Sequence, residues 1–501
     1  MKKIILLFLS LCILIPEVYA NYSTPGTNKR WNLDSLVNFS GGVVTFSGGF
    51  YNVNDTLIIS ATDTVSILTN STLRLGQSVF IDVFGTLKIS PPDSVKITAQ
   101  DTNTKYLGFR FNEFADASVL QKMIMEYGNS IRLLDCDMLI NNCIIRNNTQ
   151  NSTFGNAAIS IFRSNAIISN NKIFRNRVAA IQSGANIASS PQIINNEIYE
   201  NNITNANVPQ INWGATLTNP PLIIRGNKIR GLFTNAGGIA MLAIGSGNVI
   251  IENNEIKFNR YGIALLSGNI NAVINNNIID SNNIQGNPSL GGSGINLNGN
   301  STLIPIIKRN FIRGNLWGVT IQGTAKPNLG NVFNLDTNDN GLNQIYGNGN
   351  TGRIYDLFNN TPDSIYAQNN YWGTTIQDSI EAHIFHRTDS AALGYVNYIP
   401  FRTVTDIKTN ELTPATYSIL NVYPNPFNPE TTIEFNLNTA QRIKIEVFDV
   451  TGRVVEVIRN EDLQRGNYKV KWNAINKNSG VYFLKITGNE INTTRKLLLI
   501  K

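Results

Sequence analysis

The sequence predicts an all-β chain in two parts, a long parallel β-solenoid followed by a small β-sandwich. Three observations carry this. Branched aliphatic residues recur beside paired asparagines through the middle of the chain, at intervals of 22 to 33 residues. No stretch there shows the 3.6-residue apolar period of an amphipathic helix. In the last eighty residues, apolar positions alternate with polar ones between closely spaced turn signals, the pattern of short half-buried strands. With 501 residues, 42% hydrophobic and only 15% charged, the chain is long and apolar enough for more than one core, and wholesale disorder is excluded.

The first twenty residues stand apart. Lys2 and Lys3 precede the apolar run "IILLFLSLCILI", and "VYA" at Val18 to Ala20 supplies small residues before a cleavage point, so a signal peptide ending at Ala20 is expected. Its apolar stretch is short for a membrane span, and no later segment approaches the roughly 18 apolar residues a span needs. Without residues 1–20 the chain keeps 39 basic and 33 acidic residues, a net +6. That mild, dispersed excess suits weak attraction to acidic polymers and gives no nucleic-acid footprint. Cys12 leaves with the leader, so Cys136 and Cys143 remain in an oxidising compartment. They are read either as a disulfide or as two small buried residues in neighbouring stretches of one repeat.

The repeat reads "NNCI" at Asn141, "NNKI" at Asn170, "NNEI" at Asn195 and Asn253, with "GNKI" at Gly226, "NNNI" at Asn275 and "KRNF" at Lys308 as variants. A single coil of such a solenoid cannot bury its own apolar face and must stack on the next. Stacked coils lie about 4.8 Å apart, so a recurring Asn forms a column whose amides donate and accept along the stack. Asparagine also tolerates the left-handed backbone of a tight corner. The residue before each closing apolar position gives the column Cys143, Lys172, Glu197, Lys228, Glu255, Asn277, Asn310. Its four central charges alternate in sign and are read as structural pairs between coils. A second strand start recurs as "VAAIQS" at Val178, "YGIALL" at Tyr261 and "WGVTIQ" at Trp317. Upstream, Gly41 to Thr98 reads as earlier coils without Asn corners. Downstream, "PNLGNVFN", "NNYWG" and "DSAALGYVNYIPF" read as last coils and a closing segment that covers the open sheet end.

With these motifs in hand, residues 40 to 400 resemble the secreted right-handed parallel β-helix repeat proteins, the superfold that also houses pectate lyases, polygalacturonases and phage tailspikes. That resemblance implies the fold and leaves activity open, because function on such a scaffold lies in grafted surface sites.

After the polar stretch "TVTDIKTNELTPAT" the composition changes. Ile433, Phe435 and Leu437 share one strand face, as do Ile443, Ile445 and Val447, and then Tyr468, Val470 and Trp472. Short strands of this kind imply a β-sandwich. Residues 417 to 501 closely resemble the type A C-terminal sorting domain of the type IX secretion system. The match is carried by Pro424, Asn425 and Pro426, by Asp449, Gly452 and Arg453 in "DVTGR", by Gly466 and Tyr468, by Gly480 and Tyr482, and by the basic apolar tail around Lys496. "WNA" at Trp472 departs from the family's usual Trp-Asp-Gly, with an altered turn expected. The resemblance implies an immunoglobulin-like sandwich, passage through the periplasm, recognition by an outer-membrane translocon, and display on or release from the cell. The expected organisation is a signal peptide at 1–20, a β-helix with its closing segment at 21–402, a linker at 403–416 and the sorting domain at 417–501.

Catalysis has weaker support. Polygalacturonase-type hydrolysis needs closely set carboxylates. The two histidines, His383 and His386, lie in the closing segment and lack the spacing of a metal pair. A lyase would need carboxylates gathered for calcium together with an Arg or Lys base, and Asp135 and Asp137 are one candidate pair. Outside that case no cofactor or metal is expected. Arg146 and Arg175, two residues after the repeat Ile in successive coils, are followed in that column by Glu200, with Arg177 alongside. Stacked like charges are unfavourable unless an anion satisfies them, so these four residues are the candidate site for an acidic sugar. The alternative is solvated arginines lying over neighbouring coils. The chain is therefore read as an exported β-helix protein that binds carbohydrate or serves in adhesion. Polysaccharide lyase or glycoside hydrolase activity is the runner-up, and a passive spacer the third reading.

Overall fold

The structure is a computed structural model that describes residues 21–242, 246–266, 269–403, 421–437, 440–464, 466–488 and 492–501. The expected leader and most of the expected linker lie outside the described residues. The chain divides into two compact units, Met1–Asp406 and Ile407–Lys501.

The first unit is a right-handed parallel β-helix. Each coil contributes one strand to each of three sheets, here called A, B and C, which contain 14, 11 and 13 strands among the described residues. One coil runs through Ile167–Ser169 in sheet B, Lys172–Phe174 in sheet C and Ala179–Ser183 in sheet A. Its inward residues Ile168, Ile173 and Ile181 are wholly buried. The pattern repeats in register, so Ile173, Ile198, Ile229, Ile256 and Ile279 form one unbroken aliphatic column. Burying each such side chain stabilises the fold by about 1.5–3 kcal/mol. The "VAAIQS", "YGIALL" and "WGVTIQ" runs all enter sheet A. Gly238, Gly262 and Gly294 open successive strands there because a Cβ at each would lie within 2.8 Å of the next coil's backbone oxygen.

The paired asparagines divide the corner between sheets B and C into two tasks. The first of each pair takes the left-handed conformation, as at Asn170, Asn195 and Asn253. The second faces inward and forms the ladder Asn171, Asn196, Asn227, Asn254, Asn277, Asn310, Asn343, Asn370. Each backbone N–H and side-chain amide of one member donates to the Oδ1 of the next at 2.8–3.0 Å. Cys143 stands at its head, donating only its backbone N–H to Asn171.

That cysteine corrects the alignment read from sequence. Ile145, not Ile144, pairs with Ile173, and Ile279, not Ile278, with Ile256. The outward column is therefore Ile144, Lys172, Glu197, Lys228, Glu255, Ile278, Phe311. The four alternating charges keep this column, but among the described residues only Lys172 and Glu197 pair between coils, at 3.6 Å, while Glu255 pairs with Lys257 on its own strand; Cys143, Asn277 and Asn310 belong to the ladder instead. Cys136 and Cys143 are both buried free thiols, and burial pushes each up to about 12. No disulfide joins them.

Both ends of the solenoid are closed. The helix Leu33–Phe39, which the sequence reading did not include, begins at an Asn32–Ser35 capping box and puts Leu33 and Leu36 into the core. At the far end, the helix Gln377–His383 buries Ile380 and leads into the last strand of sheet A, Ile384–Phe385. Covering the terminal coils this way prevents edge-to-edge pairing with other chains.

The second unit is a small sandwich of a three-stranded and a four-stranded antiparallel sheet. Ile433, Phe435, Leu437, Ile443, Ile445, Val447 and Trp472 fill its core. Asn425 holds the last strand by donating to the Lys496 carbonyl and accepting from the Leu498 N–H, both at 2.8 Å. Asp449 gathers the N–H groups of Thr451 and Arg453 and the Arg453 guanidinium, while Gly452 takes positive φ in the same turn. Tyr468 and Tyr482 hydroxyls donate to the carbonyls of Gln464 and Asn478. At the departing "WNA", Trp472 remains in the core and Ala474 is buried, its N–H bonded to the Pro429 carbonyl.

Candidate functional site

Sheet C does not bring the four sequence-chosen residues into one column. Arg146 registers with Phe174, not Arg175. Arg175 and Glu200 sit at the following left-handed corner, because the Cys143 coil is out of phase by one residue. Arg146 and Arg175 each already have an acid. Arg146 lies 2.9 Å from Glu126, which also takes Lys96 at 2.7 Å. Burial pushes the Glu126 carboxyl up, but the two cations outweigh it and hold it below its ordinary range. Arg175 lies 2.8 Å from Glu200. Arg177 is nearby, its buried Nε without a partner. The stacked like charges that pointed to an anion are thus absent from this arrangement.

Other sequence candidates also have structural partners. Asp135 pairs with Arg163 at 2.5 Å, and Asp137 accepts the Asn165 N–H. His386 is buried, its Nδ1 accepts the Val396 N–H, and its Nε2 lies 2.8 Å from Glu381. Accepting that backbone N–H places the ring proton on Nε2.

The outward face of sheet A has a different chemistry. Its central row runs Arg110, Arg132, Ser160, Gln182, Asn212, Ala240, Ala264, Asn296, Thr320, Phe358, Phe385. Where Ala264 leaves the floor low, side chains rise around a groove of about 470 Å³, with Tyr261, Asn296, Trp317, Thr320, Gln322 and Phe358 among its walls. Trp317 packs against Tyr355 and Phe358 at 4.7 and 5.0 Å between ring centroids, and its indole N–H donates to the Pro288 carbonyl. Burial pushes the Tyr261 phenol up to about 12, leaving a neutral hydroxyl. Arg260 is engaged by the Leu290 carbonyl and by Asn207. The Asn296 Oδ1 is an acceptor with no partner. Sequence reading missed this site because its residues come from several coils, and the "YGIALL" and "WGVTIQ" runs that touch it were read only as strand starts.

Residues 124–302 match the family model described as the right handed beta helix region, and residues 421–501 match the secretion system C-terminal sorting domain. No curated protein matches the sequence. Among solved structures, the periplasmic alginate epimerase AlgG is 13% identical, with 75% of this chain and 84% of that chain covered at a TM-score of 0.32. A double mutant of that epimerase is 12% identical over the same coverage, with a TM-score of 0.37. The enzymatically active domain of bacteriophage CBA120 tailspike protein 2 is 11% identical, with 94% of this chain and 76% of that chain covered and a TM-score of 0.22. Likeness at these scores carries no argument here, and the fold follows from the strand pairing itself. The chain is a right-handed β-helix protein with a secretion system C-terminal sorting domain, which delivers it to the cell surface or the extracellular space.

Proposed function

We propose that the β-helix binds polysaccharide along sheet A, with the groove beside Trp317 as the contact for a neutral, hydroxyl-rich sugar. The observation that carries this is the aromatic wall of Trp317 and Phe358 beside the unpartnered Asn296 Oδ1. A sugar ring offers C–H groups to an aromatic face and a hydroxyl donor to a buried acceptor that lacks a partner, so both needs are met by one ligand. No carboxylate stands among the described residues of the groove, whereas glycoside hydrolysis requires a pair of them. Binding without cleavage is the reading this favours. The sorting domain places such a binder where polysaccharide is met, and its partner during export is the secretion system.

The test is retention of the purified chain on a panel of neutral and acidic polysaccharides, with new reducing and unsaturated ends followed in parallel. Trp317→Ala should weaken binding to the preferred neutral polymer at least tenfold and leave the unfolding midpoint near that of the parent. New ends formed by the parent chain would replace this reading with a lyase or hydrolase. Equal retention of parent and variant would remove the groove from the site, and no retention at all would leave an adhesive or structural role.

A further inference from the structure

A second asparagine ladder runs between sheets C and A, and it is broken at one coil. Its members lie five residues after those of the first: Asn176, Asn201, Asn259, Asn282, Asn315 and Asn348 follow Asn171, Asn196, Asn254, Asn277, Asn310 and Asn343. After Asn227 the corresponding residue is Leu232, which turns out to solvent with 57% of its surface exposed. On one side of the gap Gln210 stands in, accepting from Asn201 at 3.0 Å and donating to the Arg230 carbonyl. On the other, the buried Oδ1 of Asn259 has no partner. Gly231 fits the same spot because a Cβ there would stand 2.2 Å from the Phe258 carbonyl oxygen and 3.0 Å from the Asn259 Oδ1.

The break coincides with a cavity of about 780 Å³ on the sheet C side, lined by Tyr199, Lys228, Arg230, Gly231, Leu232 and Phe258 together with two carboxylates. Those carboxylates are committed elsewhere, Glu197 to Lys172 at 3.6 Å and Glu200 to Arg175 at 2.8 Å. Lys228 and Arg230 pair with no carboxylate among the described residues, and the Arg230 guanidinium lies 5.3 Å from the Phe258 ring centroid. Tyr199 is held flat by stacking on Phe174, 4.7 Å away and 7° from parallel. One cavity therefore offers two aromatic rings and two unpaired cations.

We propose that this cavity is a second saccharide site, separate from the sheet A groove, for a sugar ring that carries an acid group. The ring lies against Tyr199 and Phe258, and the acid group sits between Lys228 and Arg230, where charge-assisted hydrogen bonds are strongest. The site has its own ligand chemistry and does not depend on the neutral-sugar reading of the other face.

Calorimetric titration of the full chain with three oligosaccharides of equal length, one neutral, one bearing uronate carboxylates and one bearing sulfates, separates the possibilities. At least one acidic oligosaccharide should bind, with affinity falling as salt rises. The double variant Lys228→Gln and Arg230→Gln should lose at least tenfold in that affinity, and Tyr199→Ala a similar factor, with neutral binding unchanged. Trp317→Ala should spare acidic binding, so failure of one site is distinguishable from failure of the other. Carboxylate preferred over sulfate, or the reverse, identifies the acid group. No acidic oligosaccharide bound, or acidic affinity unchanged in a folded double variant, would overturn the proposal.

Discussion

Asp356 shows how one residue ends a ladder. Its Oδ1 accepts the Asn348 N–H and side-chain amide at 3.0 and 2.9 Å, as the Oδ1 of an asparagine would, and its Oδ2 lies 3.1 Å from His383 Nδ1. Complete burial pushes this carboxyl above its ordinary range, and the nearby His383 ring and the bonds from Asn348 only partly oppose the shift. A raised carboxyl pKa means that the folded chain holds the proton more tightly than the unfolded one. Its contribution is therefore full below the unfolded value and is lost as pH rises through the folded value. Asp356→Asn keeps the acceptor and removes the charge. The variant should match the parent at pH 3 and gain stability over it as pH rises to 7, read from urea midpoints at each pH. Equal midpoints throughout would show that His383 fully compensates the buried charge. Glu126 has the opposite sign, because its cations hold it low. Its contribution is present above the unfolded value and fades as acid reaches the folded one.

At the scale of one element, the ladder sets where each coil turns. Asn227 accepts from Asn196 on one side, donates to Asn254 on the other, and also donates to the Ile193 carbonyl. Asn227→Ala leaves buried donors and a carbonyl without partners, at about 1–3 kcal/mol for each group left unsatisfied. A loss of about 3 kcal/mol in urea unfolding is expected, and a loss below about 1 kcal/mol would mean that water replaces the amide. This ladder was legible in the sequence, because paired asparagines before an aliphatic residue are a local pattern with a physical reason. Its phase at the first coil was not, since Cys143 occupies a ladder position that composition does not mark. The second ladder carried a signal that went unread, an asparagine five residues after the first. Single asparagines there follow outward residues as different as Arg175, Glu200 and Phe258, so no two-residue motif announces them. The sheet A groove was less legible still, since its walls depend on which loops rise over which coil, and pattern period says nothing of that.

Across the whole molecule, two cores divide the work. The β-helix core and the sandwich core are separate clusters, so each unit should answer to its own substitutions. Strand alternation and turn residues made the sandwich readable from sequence, but the role of Asn425 depends on a contact 71 and 73 residues along the chain. Its side chain reproduces a strand's pairing by accepting from one backbone N–H and donating to one backbone carbonyl of the last strand, whereas the flanking Pro424 and Pro426 have no N–H to donate. Asn425→Ala removes both bonds, a loss of about 1–3 kcal/mol. The last strand should then fray, with faster hydrogen exchange at Leu498 and a lower unfolding midpoint for the sandwich alone, while the β-helix transition stays in place. Because this domain directs export, the variant should also accumulate in the periplasm at the expense of the surface and the medium, measured by fractionation. Normal export with a frayed last strand would show that the secretion system reads another part of the sandwich. A shift in the β-helix transition would show instead that the two units are energetically coupled.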